Sequence, residues 1–417
     1  VSLQQPEFGT RLRALRTGLG LSQQQLAGTG MSTGYLSRLE SGARPPTLRA
    51  AEYLAERLDV PLSALRSPQT DPLAQRLAVA SAAEEPARAL TILRQALTEH
   101  PDGATALRWQ ALRMLAELQQ ATGDRAAEAA TLTELTALAA QTGTPELTAY
   151  SHLHLARCRR ALGQHAEAHQ HAATAFALAV THQLPPAERD GALMVLISTE
   201  TALGKLAEAR LHADELEHST RTAAAAPRAE ALWTCAHVRL RQGDQPGAAA
   251  LLDRALALLG SRENPLLWLR LRLAAASLSL QMSPRRLDTA ERCLTEAAPA
   301  VDLIGAQVHR QEHTLLRARL AVLRGRTAEA AELCGLLDDE ALLLAHQDVL
   351  TLRMVRGQLR ILTGDHEEGV SALEQLAAQA QVEGADVNTA IEIWRSLAES
   401  VTCTIRGAGN GAAHPAL

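Results

Sequence analysis

The densest run of groups able to bind a metal or move a proton is His152, His154, Cys158, His165, His169 and His171. His165 and His169 stand four apart, the spacing that puts two imidazoles on one helix face as a metal pair. No carboxylate completes an H-E-x-x-H motif, and the other histidines are spaced to point apart. The cluster therefore reads as packed or surface histidines, and no metal ligand is assigned from it. Gly407-Ala408-Gly409-Asn410-Gly411 has the glycine density of a phosphate-binding loop, but it follows no strand and reads as a frayed tail. There is no P-loop, no G-x-S-x-G and no paired-carboxylate constellation. Neither enzymatic chemistry nor a cofactor is expected. Cys158, Cys235, Cys293, Cys334 and Cys403 stand singly, with no C-x-x-C, as small buried apolar residues do in a reducing compartment. No run of about 18 apolar residues exists to span a membrane, and Val1–Pro6 has no signal-peptide core. A cytoplasmic protein without membrane contact is expected.

The elements that carry these residues follow from composition. The 417 residues are 47% hydrophobic but only 2% aromatic, so the apolar mass is Leu, Ala and Val. Leu and Ala are strong helix formers and strand formers are scarce, which predicts an all-α fold. Net charge is −5, which by itself argues against nucleic-acid binding. It is unevenly spread. Residues 1–66 hold eight arginines against five acids, a balance of +3, and the remainder holds 33 basic against 41 acidic residues, a balance of −8. A small basic head on a large acidic body suggests two jobs.

The head punctuates itself into five short helices. Ser22 followed three residues later by Gln25 is a capping box. Gly28 and Gly30 end that helix. Ser32 caps the next, from Thr33 to Ser41, with Leu36 and Leu39 inward. Gly42 and Pro45-Pro46 stop it, Thr47 starts a helix carrying Leu48, Ala51, Leu54 and Leu58, and a last short one follows Pro61. Two short helices around a glycine turn spell a helix-turn-helix. The residues Leu21-Ser22-Gln23, Leu26-Ala27, Met31 through Gly42 and Pro46-Thr47 resemble the XRE/Cro/phage-repressor family over roughly 8–66. Leu26-Ala27-Gly28-Thr29-Gly30 is one residue shorter than the family's spacing, so helix two is expected to be clipped. The resemblance implies base-facing positions at Thr33, Gly34 and Arg38, with Arg38 able to read guanine in bidentate fashion. It implies phosphate contact at Gln23 and backbone contact around Ser32, Tyr35, Ser37 and Arg44. Glu40 is expected to pair with a nearby arginine.

Beyond a linker at 67–72, glycine turns recur at Gly123, Gly163, Gly204, Gly243, Gly325 and Gly364, several followed by x-x-x-Glu-Ala. The intervals are 40, 41, 39, 82 and 39, so a degenerate unit is centred near Ser283, and another near Ala83. A small residue stands seven before most turns: Ala116, Ala156, Ala236, Ala276, Ala318 and Gly357. That is where paired helices cross closely. The pattern predicts a right-handed α-solenoid of about eight helix hairpins over 73–405, with a flexible tail at 406–417. It looks like tetratricopeptide repeats stretched beyond their usual period. The repeat phase puts Arg113, Tyr150, Arg157, Arg160, Trp233, His237, Arg270 and Arg319 on the concave side, together with Gln110, Glu117, Arg241, Glu312 and Gln358. The first eight are the expected ligand contacts, suited to an anionic or peptidic ligand. Trp109, Trp268 and Trp394 are expected in the core.

A helix-turn-helix head on such a body resembles the PlcR/Rap-type peptide-pheromone receptors. That resemblance implies a homodimeric transcription regulator of quorum-sensing type. Its partners would be double-stranded operator DNA and a peptide or small-molecule effector. Members of that family commonly clamp the peptide backbone with groove asparagines, whereas this chain has only Asn264, Asn388 and Asn410 in all. The alternative is a scaffold whose repeats hold a protein partner, with the head as a tether.

Overall fold

The computed structural model describes residues 3, 5–65, 71–382 and 387–411, and their side chains except at 340, 381, 382, 387, 388 and 403–411. Residues 67–70 of the expected linker and 412–417 of the expected tail lie outside the described residues. Every regular element among the described residues is helical. The chain divides into two compact units, Val1–Leu107 and Arg108–Leu417.

The first unit opens with α1 (Glu7–Gly18), α2 (Gln23–Ala27), α3 (Thr33–Glu40), α4 (Leu48–Arg57) and a 3-10 turn at Leu62–Leu65. Their apolar faces meet in a core of Phe8, Leu12, Leu26, Leu36, Leu39, Leu54 and Leu65, all fully buried. The expected capping box is present: the Ser22 hydroxyl accepts from Gln25 N–H at 3.1 Å, and Gln25 Oε1 accepts from Ser22 N–H at 2.7 Å. Helix two is clipped to five residues. Gly9 lets α1 lie on α3, since a Cβ there would stand 2.4 Å from the Leu39 carbonyl oxygen. A hairpin of α5 (Pro72–Ser81) and α6 (Pro86–Glu99) follows, turning at the degenerate unit near Ala83.

The second unit continues the hairpins. These are α7 (Thr105–Thr122) with α8 (Arg125–Thr142), α9 (Pro145–Ala161) with α10 (His165–Thr181), and α11 (Pro186–Ala202) with α12 (Leu206–Ser219). Then come α13 (Ala225–Arg241) with α14 (Gln245–Leu258), α15 (Pro265–Gln281) with α16 (Leu287–Ile304), α17 (Gln307–Leu323) with α18 (Thr327–Gly335), and α19 (His346–Thr363) with α20 (His366–Val382). A single helix, α21 (Val387–Gly411), ends the array. It runs on through the glycine-rich 407–411 segment; glycine weakens a helix without blocking its hydrogen bonds, as proline would.

All six anchor glycines occupy interhelix turns with positive φ, from 73° at Gly204 to 113° at Gly364. The turn at Gly163 shows why. Its N–H bonds Arg160 O at 3.0 Å and the next N–H bonds Arg159 O at 2.9 Å. These are the two bonds of a Schellman cap, whose left-handed residue costs any side chain about 1 kcal/mol. The small residues seven positions earlier are buried at helix crossings. A Cβ at Gly357 would meet Leu373 Cδ2 of α20 at 2.7 Å. Trp394 departs from expectation: on α21 it is 43% exposed.

Candidate functional site

One carboxylate pins three helices of the head. Glu40, buried at the end of α3, accepts both arms of Arg16 from α1, Nε at 2.6 Å and Nη2 at 3.0 Å. Gln23 of α2 donates to the same group at 2.8 Å. Burial alone would raise the Glu40 pKa, but the Arg16 and Gln23 hydrogen bonds outweigh it and hold the carboxyl below its usual range. From α4, Tyr53 donates to Ala27 O at 2.8 Å and accepts from Gly30 N–H at 3.1 Å. Its ring lies so close that a Cβ on Gly30 would stand 2.4 Å from it. The shortened turn is thus closed by a tyrosine that sequence reasoning did not single out. Its only sequence signal was the Gly28-Thr29-Gly30 spacing itself.

On this frame Thr33, Gly34, Ser37 and Arg38 form one exposed face of α3. Arg38 Nε rests on Gly34 O at 3.2 Å. Ser32 caps the helix, its hydroxyl accepting from Tyr35 N–H at 3.2 Å. Arg44 lies over the Tyr35 ring, 5.1 Å from its centroid. Gln23 is half-buried, its amide engaged by Glu40.

In the second unit the first helices of successive hairpins turn their charged faces to a shared hollow. A Cβ on Gly163, in the α9–α10 turn, would stand 2.7 Å from the His346 ring at the start of α19. The solenoid has therefore curled until an early turn meets a late helix. Arg157 and Arg160 of α9 are open to solvent yet ringed by protein, and that burial lowers both pKa values, helped by Arg270 and, for Arg160, by Arg157, with Glu230 opposing the shift of Arg157 and Asp348 that of Arg160. Among the described residues neither guanidinium makes a hydrogen bond or ion pair. Arg270 has only Glu230, at 3.9 Å.

Facing them, burial pushes Glu312 of α17 up to about 7 and Asp348 of α19 up to about 6, with Asp348 adding to the shift of Glu312. Of the other expected contacts, Arg113 is paired with Glu117, which also accepts from Tyr150 Oη at 3.3 Å. His154 stacks on Tyr150 at 4.1 Å, and burial takes it down to about 4. His237 accepts from Arg241 at 3.3 Å, and burial takes it to about 3, so it is neutral. Trp233 packs half-buried against the core. Arg319 is buried and paired with Glu392 of α21.

The histidine run is dispersed into pairs: His152 Nδ1 lies 2.9 Å from His171 Nδ1, and His169 Nε2 lies 2.8 Å from Lys205 Nζ. Among the described residues no three His, Cys, Asp or Glu gather as a metal site. A cavity of about 370 Å³ opens elsewhere, between α14, α15 and α16. Two of its arginines are paired within it, Arg272 with Glu296 and Arg286 with Asp253, each at 3.1 Å, so it makes weaker demands on a ligand than the hollow.

A helix-turn-helix domain model matches residues 7–67, the span organised around Glu40. Residues 7–67 are a helix-turn-helix domain. No curated protein matches the chain. Among solved structures, the chain is similar to a Rap protein complexed with Competence and Sporulation Factor. The identity is 12%, 94% of this chain and 99% of that one are covered, and the TM-score is 0.57. It is also similar to the Rap conjugation gene regulator of plasmid pLS20 in complex with the Phr* peptide, at 12% identity, 89% and 96% coverage and a TM-score of 0.51. At such identities the shared feature is the fold, a tetratricopeptide-like array. The helix-turn-helix domain accordingly stands ahead of a solenoid of known type. Among the described residues no helix is long and apolar enough to cross a membrane.

Proposed function

We propose that the protein is an effector-responsive transcription regulator. The helix-turn-helix domain binds operator DNA through the exposed face of α3, and the solenoid hollow receives the effector. The observation that carries the DNA half is the placement of Thr33, Gly34, Ser37 and Arg38 on one free helix face, held by the buried Arg16–Glu40–Gln23 network. An α-helix so presented fits the major groove. The surplus of positive charge in the first 66 residues supports the same reading, and the acidic remainder directs phosphate contact to the head.

The effector half is supported by the hollow's unpaired charges and by the fold shared with two Rap structures, one complexed with Competence and Sporulation Factor and one with the Phr* peptide. A change in solenoid curvature moves paired heads only if the ligand prefers one curvature. A dimer would read half-sites about 34–36 Å apart or a multiple of that.

Selection of genomic fragments by the full chain tests this. The expected result is enrichment of a two-fold-symmetric site whose affinity falls steeply with salt. Enrichment of no sequence, together with one stoichiometric protein captured from the same extract, would transfer the assignment to a protein-binding scaffold.

A further inference from the structure

The second helix of the head is five residues long, and its last four carbonyls find no partner within it. Gly28 N–H bonds the first of them, Gln24 O, at 3.2 Å. Two side chains of α4, one helical turn apart, take the other three. Arg57 donates from Nη2 to Gln25 O at 2.6 Å and from Nε to Leu26 O at 2.9 Å. The Tyr53 hydroxyl donates to Ala27 O at 2.8 Å and accepts from Gly30 N–H at 3.1 Å. One oxygen therefore ties the end of α2 to the turn two residues before Ser32, the cap of α3. Both glycines of the turn make room for these side chains. Gly28 has φ 56° and ψ −143°, a backbone that side chains rarely adopt, and a Cβ there would stand 2.9 Å from Arg57 Cζ. A Cβ on Gly30 would overlap the Tyr53 ring.

We infer that Tyr53 and Arg57 are positioning residues for DNA recognition: they stand in for the residue by which the α2–α3 turn falls short, and fix the reading face of α3 against α2. This rests on the DNA-binding reading above and adds what aims its reading helix. The other end of α2 is held by Gln23 on Glu40 of α3, so side chains grip the short helix at both ends. The start of α2 carries Gln23, and α3 carries Thr33, Gly34, Ser37 and Arg38. A phosphate contact from the first and base contacts from the second must register together on one duplex. A slack turn lets them drift by about an ångström, more than a bidentate base contact tolerates. Attraction of a basic head to phosphates needs no such register. The cap therefore bears on discrimination between sequences rather than on affinity for DNA in general.

The test uses the full chain, the operator selected from genomic fragments, and random DNA of the same length. Y53F removes only the hydroxyl that bridges the turn. R57K keeps the charge but not the fork that reaches two carbonyls at once. Each variant is expected to bind the operator about tenfold more weakly, with binding to random DNA little changed. Hydrogen exchange read by mass spectrometry should quicken over residues 25–31 in both variants and stay slow in α1 and in the inward half of α3. A role in stability alone would lower operator and random binding together, in step with the folded fraction measured by circular dichroism. Equal losses on both DNAs, an unchanged operator-to-random ratio in the folded variants, or unchanged exchange over 25–31 would each overturn the assignment. A parent chain that selects no operator would overturn the DNA-binding reading itself; a parent that selects one, with variants that keep its ratio, overturns only the role of the cap.

Discussion

Arg319 of α17 and Glu392 of α21 form a buried ion pair across 73 residues of sequence. Repeat phase alone places Arg319 on the concave face; the structure buries it, and the last helix supplies its partner. Glu399 extends the clasp by binding Arg285 at 2.9 Å and Arg395 at 3.0 Å. Replacing one member of a buried pair strands the other charge. Glu392→Gln is expected to destabilise the second unit by about 3 kcal/mol, measured by urea unfolding followed through tryptophan fluorescence. R319M/E392M, which removes both charges, should recover most of that loss. An unchanged midpoint in the single variant would show that the pair does not hold α21.

The curl of the solenoid has its own test. Gly163 and Gly204 share a left-handed backbone, φ 80° and 73°, but only Gly163 has a neighbour where a Cβ would sit, the His346 ring. Gly204→Ala should cost about 1 kcal/mol, the backbone penalty alone. Gly163→Ala should cost at least about 1 kcal/mol more, seen as a lower thermal midpoint. Equal losses would mean that the α9–α10 turn does not rest on α19.

Glu312 makes stability depend on pH. Its folded pKa of about 7 lies above the ordinary 4.5, through burial first and the nearby Asp348 second, with Arg270 and Arg125 opposing. The folded state therefore favours the protonated acid. That contribution is complete below the unfolded pKa and is lost as pH rises through about 7. Glu312→Gln, neutral throughout, should match the parent at pH 4.5 and melt roughly 3 °C higher at pH 8. Parallel melting curves at both values would place Glu312 in water.

Arg38 and Arg44 should fail differently on the selected operator. Arg38→Ala is expected to lose about 1–3 kcal/mol of discrimination at one base position, with binding to random DNA little changed. Arg44→Ala should weaken all sequences alike and reduce the slope of log K against log salt by about 1. Competition gel shifts at several salt concentrations separate the two. Full discrimination by the Arg38 variant would remove it from the base-reading set.

Much of the architecture was legible because its causes are local. A left-handed turn residue is a demand on one backbone position that glycine meets best, so Gly123, Gly163, Gly204, Gly243, Gly325 and Gly364 announced the hairpins. Ser22 and Gln25 announced a helix start by reaching each other within one turn. Leu36 and Leu39 lay inward, as helical spacing requires. The pairing of Glu40 with an arginine was legible, but not that Arg16 would supply it or that Gln23 would join.

The hollow was legible only in part. Sequence alone determined which side chains share the inner face of each first helix, because that follows from a period of 3.6 residues. It did not determine which of them meet. Small rotations accumulate over successive hairpins, and only their sum brings His346 onto Gly163, sets Asp348 across from Arg160 and delivers Glu392 to Arg319. Those are contacts between elements far apart in the chain, and the tertiary structure alone decided which arginines were paired and which were not.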